Sequence, residues 1–333
     1  MALTNPTDLV VVITGCDTGF GAEIADEMCQ REGFTIYPTC LTDKGFEKYK
    51  AMKSSRIRPA KLDVTNQEDV NRFRALVEAE CPQGVYCVFN NAGIFAGTFI
   101  DLSTEDVFQK IMDVNYMGVV RITKALIPSL RTYAKSRHCT KDKDLPSARI
   151  LTITSIASRC NPPGHAGYSA SKHAVEAYLD TLRLEMIPWE INVSMIEPFY
   201  AKTPMIFNTP GFQDQVWRTA DPKIQNMYGI GFIGSVAKYT RLLYGFSMPS
   251  KWVVDTSVDA VTKKNGARRA RILIGFWWVS TVLRLQEWSP SWMVDYLTGC
   301  LMKYLGIYPS DPFLIKDSES AKESVSIKTV KNE

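Results

Sequence analysis

The 333-residue sequence predicts an α/β protein whose doubly wound parallel sheet carries helices on both faces. Two observations indicate this fold class. Short apolar, β-branched runs alternate with longer helical patterns along most of the chain, as expected for strands that are covered on both faces. A glycine-rich turn joins the first apolar run to the first helical pattern, and in such sheets ligands bind at the carboxyl ends of the strands. A C-terminal extension follows.

The composition limits the class of protein further. At 45% hydrophobic and 22% charged residues the chain is globular, and its length suits one large domain with an extension. The net charge of +4 gives no general case for nucleic-acid binding. Eight scattered cysteines favour reduced thiols in a cytosolic setting. The three histidines have no zinc-ligand spacing, so no metal is predicted.

Residues 9–13 form the first predicted strand, and the glycine-rich turn leads into a helix over residues 22–32. The turn contains Gly15, Gly19 and Gly21. Glycines let the backbone approach a pyrophosphate, which the positive end of the helix attracts. Three glycines alone would also suit a tight structural turn, but the flanking strand and helix favour a dinucleotide site.

The second predicted strand, residues 34–41, ends where such folds select their cofactor. It has neither an acid for the ribose hydroxyls nor an arginine for a 2′-phosphate. Asp17 in the glycine-rich turn would repel a 2′-phosphate, whereas nearby Lys44 argues the other way. We therefore expect NAD as the cofactor, with NADP less favoured.

Two further strands end in residues that suit a ligand. Asp63 closes the third strand, where it faces an adenine or caps the helix predicted at residues 67–80, or does both. The fourth strand, residues 85–89, is followed by small and polar residues that allow close approach of a cofactor or form a structural turn: Asn91, Ala92 and Gly93.

Residues 103–129 predict one long helix, and Asn115 lies between apolar neighbours within it. A buried asparagine in mid-helix needs hydrogen-bond partners, and ordinary satisfaction within the core is the default interpretation. Residues 134–148 are polar and charged, which predicts an exposed loop.

A fifth strand ends at Ser155, and a Pro- and Gly-rich loop leads to a helix that carries Tyr168 and Lys172 on one face. The Lys172 ammonium is expected to lower the pKa of Tyr168, whose ordinary value is about 10. Tyr168 would then exchange a proton with an alcohol oxygen that Ser155 also binds. These groups cannot accept a hydride, so a redox cofactor is needed. Tyr168 and Lys172 alone would also suit a surface pair.

With these motifs in this order, the chain resembles the short-chain dehydrogenase/reductase family over residues 8–205, which implies a Rossmann-like fold. The resemblance implies Tyr168 as catalytic acid/base and Lys172 as its partner and ribose ligand. Ser155 would polarise the substrate oxygen, and Asn115 would hold a water in a proton relay. The cofactor contacts expected from motif and resemblance together are Gly15, Asp17, Gly19, Phe20, Gly21, Asp63, Val64, Asn91, Ala92, Gly93, Tyr168, Lys172, Pro198 and Thr203.

Finer features are similar to the retinol and 17β-hydroxysteroid dehydrogenase branch, which the mitochondrial 3-hydroxybutyrate dehydrogenases also resemble. They are TGCDTGFG in the first turn, CLT after the second strand and Ser289-Pro290 in the tail. Most of these enzymes use NAD. In a departure from the family, Phe199 replaces the glycine after Pro198, which affects the contact with the nicotinamide carboxamide. Neither the N-terminal anchor of membrane-bound relatives nor a signal peptide is predicted.

The C-terminal third predicts a substrate lid. Its apolar residues favour a lipophilic substrate, although they would also suit core packing: Met205, Phe207, Phe212, Trp217, Met227, Tyr228 and Phe232. Basic residues before an aromatic run suggest membrane-surface contact through residues 263–305. A buried strand and helix, or a dimer contact, is slightly favoured. We predict a core at 1–205, an extension at 206–316 and a disordered tail at 317–333.

The sequence thus predicts an NAD-dependent oxidoreductase that interconverts a lipophilic alcohol, of retinol or hydroxysteroid type, and its carbonyl. One alternative is a 3-hydroxybutyrate dehydrogenase, whose carboxylate substrate would need a cation such as Lys202. The other is a non-catalytic dinucleotide-binding protein. We expect a homo-oligomer that is cytoplasmic or peripherally bound to a membrane, the endoplasmic reticulum surface included.

Overall fold

A computed structural model describes residues 8–308 except 97–98, 141–144, 208 and 230. Within these residues, seven parallel strands form one sheet: β1 (Leu9–Ile13), β2 (Phe34–Cys40), β3 (Ala60–Lys61), β4 (Cys87–Asn90), β5 (Arg149–Ile153), β6 (Asn192–Pro198) and β7 (Arg271–Ile274). Their order is β3-β2-β1-β4-β5-β6-β7. The order reverses between β1 and β4, which is the switch point where doubly wound sheets bind ligands.

Helices cover both faces of the sheet, as predicted. α1 packs against α11 on one face, and α5 packs against α3 on the other. The helices are α1 (Gly19–Cys29), α2 (Asp43–Lys50), α3 (Gln67–Glu80), α4 (Glu105–Met112), α5 (Gly118–Thr140), α6 (Ala166–Glu185), α7 (Pro204–Phe207), α8 (Thr209–Thr219), α9 (Pro222–Tyr228), α10 (Phe232–Gly245), α11 (Ser250–Thr262), α12 (Trp277–Trp288) and α13 (Ser291–Tyr304). The central strands are fully buried, because both faces of the sheet are covered.

The helix predicted at residues 103–129 is divided and longer. A π-helical turn, Asp113–Met117, separates α4 from α5, and α5 continues to Thr140. The exposed loop predicted at residues 134–148 is therefore wrong at its start, because Tyr133 and Ala134 still pack into the core. Residues 141–144 of that loop lie outside the described residues.

Asp63 does not cap α3. The N-cap is Asn66, whose side chain accepts hydrogen bonds from the backbone N–H groups of Glu68 and Asp69. The Asp63 carboxylate instead accepts from the N–H and hydroxyl of Thr65, at 2.9 and 2.7 Å. This local turn holds the side chain at the end of the third strand, where Asp63 borders a large cavity.

The lid aromatic residues mostly pack together. Trp217 and Tyr228 lie against Phe232 in a cluster with Met302 of α13 and with Leu305, which follows that helix. The packing alternative therefore holds for these residues, whereas Met205 does line the large cavity. Met227 is 55% exposed. The side chains of Phe207 and Phe212 lie outside the described residues, as does the predicted disordered tail, residues 317–333.

The run after the basic residues forms β7, which pairs with β6, and then α12. The favoured alternative of a strand followed by a helix is confirmed, but its burial is only partial: in β7 Ile274 alone is buried, and α12 buries Val279 and Leu283 on one face. The outer face of α12 is exposed, with Trp277 at 85% and Trp288 at 90%.

No helix in the described part of the chain has the length and apolarity to cross a membrane.

Candidate active site

A cavity of about 690 Å³ opens at the carboxyl ends of the strands and extends from the glycine-rich turn to α6. Gly21 and Asn115 are the two predicted site residues that do not line it. The predicted residues that do line it are Gly15, Asp17, Gly19, Phe20, Asp63, Val64, Asn91, Ala92, Gly93, Ser155, Tyr168, Lys172, Pro198 and Thr203. The fold therefore brings nearly the whole predicted set around one space.

The glycine-rich turn is tied to the end of β4. The Thr14 hydroxyl accepts hydrogen bonds from the N–H groups of Asn91 and Ala92, each at 3.0 Å. The Asn91 amide donates to the carbonyl oxygen of Gly15 at 3.0 Å. A Cβ atom at Gly21 would lie 2.2 Å from that same oxygen. Gly21 thus lets the turn close on β4 without itself bordering the cavity.

Asp17 joins the glycine-rich turn to the end of β2. Its carboxylate accepts hydrogen bonds from the N–H groups of Leu41 and Thr42, both at 2.8 Å, and from the Thr42 hydroxyl at 2.6 Å. The sequence did not reveal this anchoring role, because the partners lie 24 and 25 residues away. A carboxylate therefore borders the cavity at the strand end that selects the cofactor, whereas Lys44 is exposed and does not line the cavity.

Ser155, Tyr168 and Lys172 converge at one wall of the cavity. Ser155 begins a short 3₁₀ turn, Ile156–Ser158, and its hydroxyl forms a hydrogen bond with the phenol of Tyr168. The Lys172 ammonium lies 5.6 Å from the centre of the Tyr168 ring and donates to the carbonyl oxygen of Ile153 at 3.0 Å. Lys172 is only 5% exposed, so the alternative of a surface pair is wrong.

The expected lowering of the Tyr168 pKa is not what the structure shows. Burial raises the pKa of Tyr168 to about 12, and the hydrogen bond with Ser155 opposes that rise. Burial also lowers the pKa of Lys172 to about 8, which the carboxylate of Glu176 opposes. Both groups are desolvated, which disfavours their charged forms. At neutral pH the phenol therefore keeps its proton.

Asn115 lies in the π-helical turn, and its side chain is 1% exposed. Its carbonyl oxygen accepts from the N–H of Ile94 at 2.8 Å, and its amide donates to the Ile94 oxygen and the Ser171 hydroxyl, both at 3.0 Å. Ordinary hydrogen-bond satisfaction thus accounts for this side chain, which joins the end of β4 to α6. Its role in a proton relay stays a prediction.

Sequence reasoning did not assign the residues on the far side of Tyr168. Ile156, Cys160 and Ile206 make much of that wall apolar. The Phe95 ring lies 5.0 Å from the Tyr168 ring and 4.9 Å from the His165 ring. The one sequence signal for this wall was a histidine, His165, three residues before Tyr168. Lys202 is exposed and does not line the cavity.

Phe199 is accommodated by the C-terminal extension. Its ring packs edge-on against Trp278 of α12 and against Tyr200, at 5.5 and 5.3 Å between ring centroids. Its N–H donates to the carbonyl oxygen of Ile274 at 2.8 Å. A Cβ atom at Gly275 would lie 3.3 Å from the Phe199 Cβ, so a glycine there makes room. Phe199 therefore forms part of the cavity wall, with its N–H committed to β7.

These features define a class of protein. The turn at Gly15 has φ +71°, and a Cβ there would lie 2.8 Å from Ala92 Cα, so glycine is needed for this turn to close against the end of β4. A dinucleotide fits this cradle because the cavity continues from it to Tyr168 and Lys172. The fold and the site are those of a nucleotide-dependent oxidoreductase.

Comparison with known proteins supports this class. A model of the short chain dehydrogenase family matches residues 9–211, so the chain belongs to this family of oxidoreductases. Retinol dehydrogenase 16 of Homo sapiens is 34% identical over 301 residues, which are 88% of each chain. Mitochondrial D-beta-hydroxybutyrate dehydrogenase of Bos taurus is 29% identical over 81% of this chain and 78% of its own.

The fold is shared with solved structures. A short chain dehydrogenase/reductase from Burkholderia phymatum, solved in complex with NAD, matches with a TM-score of 0.65 at 21% identity. The match covers 93% of this chain and 99% of that one. The Rossmann-like fold predicted from the sequence is thereby confirmed.

Proposed function

We propose that the protein is an NAD-dependent oxidoreductase that interconverts a lipophilic alcohol and its carbonyl, with Tyr168 as the acid/base. The observation that carries this proposal is the convergence of Tyr168, Ser155 and Lys172 on a cavity that begins at the glycine-rich turn. A non-catalytic dinucleotide-binding protein would have no need for a buried lysine beside a buried phenol.

Each group has a part in handling the proton. The Tyr168 phenol, protonated at neutral pH, donates to the forming alkoxide during carbonyl reduction, whereas its phenolate accepts the alcohol proton during oxidation. The Ser155 hydroxyl lies beside the phenol and binds the same substrate oxygen. The Lys172 ammonium, fixed by the Ile153 carbonyl, favours the phenolate that forms. Bound nicotinamide would supply the hydride donor or acceptor that no side chain provides.

NAD is the proposed cofactor because Asp17 borders the cavity at the end of β2. Its carboxylate is held there by three hydrogen bonds and cannot easily move away from an added 2′-phosphate. Two negative charges about 5 Å apart near a protein surface repel each other by about 3 kcal/mol. We therefore expect kcat/KM with NAD to exceed that with NADP by at least about tenfold.

A lipophilic alcohol is favoured over 3-hydroxybutyrate because the carboxylate of 3-hydroxybutyrate would need a cation inside the cavity. Among the described residues that line the cavity, Lys172 is bound to Ile153 and Lys110 is exposed on α4. Burial lowers the pKa of His165 to about 4, so its ring is neutral. A buried carboxylate without a paired cation is costly. An apolar substrate meets no such cost beside Phe95 and Ile156.

We also propose that the exposed aromatic residues of α12 and α13 contact a membrane surface; they are Trp277, Trp288, Trp292, Tyr296 and Tyr304. Tryptophan and tyrosine rings combine apolar bodies with polar tips, which suits the boundary between lipid and water. The opposite face of α12 packs on Phe199 and Ile156 at the cavity wall. A lipophilic substrate would therefore have a short path from the bilayer.

Two further statements remain predictions. One is the division into a core at 1–205 and an extension at 206–316, and the other is assembly into a homo-oligomer.

The first test compares the wild-type protein with Tyr168→Phe on a panel of retinol, 3- and 17-hydroxysteroids and 3-hydroxybutyrate. NADH fluorescence reports turnover. Removing the phenolic oxygen should lower turnover of a lipophilic substrate at least about 100-fold, while NADH binding changes little. Equal loss of binding and turnover would contradict the acid/base role. Oxidation of 3-hydroxybutyrate alone would support the alternative substrate class.

A further inference from the structure

His165 and Tyr200 are two polar residues on the substrate side of the cavity that the proposed mechanism does not use. Both line the cavity that contains Tyr168. His165 immediately precedes α6, and Tyr200 follows the end of β6 by two residues. The Phe95 ring contacts both His165 and Tyr168, which places the pair near the reacting end of a bound substrate.

The hydrogen bonds of His165 fix the positions of the protons. Its Nδ1 lies 3.2 Å from the carbonyl oxygen of Pro163, which can only accept, so Nδ1 carries the hydrogen. The ring is neutral, and Nε2 can therefore only accept. The Tyr200 hydroxyl lies 3.1 Å from Nε2 and must be the donor. The single proton of Tyr200 is thus committed to His165.

A phenol oxygen whose hydrogen is committed can still accept a hydrogen bond. We propose that the Tyr200 oxygen, held by His165, accepts a hydrogen bond from a second hydroxyl group of the substrate. The substrate is then a lipophilic diol, with one hydroxyl at Tyr168 and Ser155 and the other at Tyr200. A substrate with a carbonyl at the second position cannot donate and gains nothing. This inference rests on the oxidoreductase function proposed above.

The test compares three substrate types with NAD and the full chain. They are decan-2-ol, decanediols that keep the 2-hydroxyl and carry a second hydroxyl at successive positions, and hydroxyketones with a carbonyl at those positions. At one spacing the diol should exceed decan-2-ol in kcat/KM by roughly tenfold, as for one good hydrogen bond. The matching hydroxyketone should show no such gain.

Two variants distinguish hydrogen bonding to the Tyr200 oxygen from the shape of the Tyr200 and His165 rings. Tyr200→Phe keeps the ring and removes the oxygen, so the ratio of diol to decan-2-ol should fall to about one. His165→Phe keeps the ring contact with Phe95 and frees the Tyr200 proton, so the hydroxyketone should gain an advantage over decan-2-ol that it lacks with the wild type, while the diol keeps its own. Tyr239→Phe is the matched control, because Tyr239 lines a smaller neighbouring cavity and not the main one. It should retain the wild-type pattern.

The outcomes distinguish a failure of this inference from a failure of the proposed oxidoreductase function. Equal kcat/KM for decan-2-ol and every diol, or a diol advantage that survives in Tyr200→Phe, overturns the inference and leaves the alcohol oxidation intact. A hydroxyketone that still gains nothing in His165→Phe overturns the assigned proton positions. If the protein binds NADH but oxidises no alcohol in the panel or the series, the proposed function fails and this inference falls with it.

Discussion

Tyr168 keeps its proton in the folded chain because burial disfavours the phenolate more than the hydrogen bond with Ser155 favours it. The pKa of Tyr168 is raised to about 12 and that of Lys172 is lowered to about 8. The two directions of reaction should therefore differ in pH dependence, because reduction begins from the phenol and oxidation from the phenolate.

We predict that kcat/KM for alcohol oxidation rises about tenfold per pH unit from about pH 6 to about pH 8. Carbonyl reduction should be flat over this range and fall above it, as Lys172 loses its charge. The measurement is kcat/KM in both directions with saturating cofactor. Identical slopes for both directions would show that a group other than Tyr168 titrates.

Most of the site residues could be predicted singly, but their surroundings could not. Tyr168 and Lys172 were found because four-residue spacing places two side chains on one helix face. The direction of the Tyr168 pKa shift was wrong, because desolvation depends on tertiary burial that spacing does not reveal. His165 and Tyr200 lie 35 residues apart, and their pairing depends on how the ends of β5 and β6 lie together.

Helix α6 carries more than its two predicted site residues. Tyr168, Lys172, Glu176 and Asp180 follow one another at four-residue spacing on one face. Glu176 is buried; its carboxylate accepts from the Ser158 hydroxyl and lies 3.5 Å from the guanidinium of Arg271 in β7. The same arginine binds Asp180 at 2.6 Å. This helix therefore connects the candidate active site to the C-terminal extension.

We predict that Glu176→Gln lowers the pH at which carbonyl reduction declines. The Glu176 carboxylate raises the pKa of Lys172, so its removal lets the ammonium lose its proton earlier, by about one unit. Asp180→Asn is the matched control, because it removes a contact of the same Arg271 one turn farther from Lys172. It should leave the pH profile in place. Equal shifts in both variants would assign the effect to Arg271.

At the scale of elements, strands were easier to predict than helix ends. Buried parallel strands stand out as β-branched runs, and the helix predicted at residues 67–80 matches α3. The end of α5 was missed because polar residues on its exposed side resemble a loop. The π-helical turn at Asn115 was also missed, since it depends on contacts with Ile94 and Ser171 that lie far away in sequence.

At the scale of the whole molecule, the least predictable feature is the exposed aromatic surface of α12 and α13. The sequence shows many aromatic residues there, but not which of them the fold buries. Trp277, Trp288 and Tyr304 are each at least 85% exposed, whereas Val279 and Leu283 pack on the core. A large amount of exposed apolar surface usually marks a contact.

We predict that Trp288→Ser combined with Trp292→Ser weakens binding to vesicles by at least about tenfold, since each buried indole contributes apolar area. The measurement is co-sedimentation with vesicles of mixed neutral and anionic lipid, because the exposed Arg268 and Arg269 and the net charge of +4 favour an anionic surface. Trp189→Ser is the control. Trp189 is 45% exposed but lies between α6 and β6, outside α12 and α13.

Turnover and oligomeric state complete this test. If α12 and α13 lie on the bilayer, the double variant should keep the kcat for a detergent-dispersed substrate, because the substituted side chains are not among those that line the cavity. Its kcat/KM for a substrate dissolved in vesicles should fall with the binding. If this surface instead joins two copies of the chain, neither protein will sediment with vesicles, and sedimentation velocity will show a dimer that the double variant converts to monomers. That second result would remove the membrane proposal and support the predicted homo-oligomer.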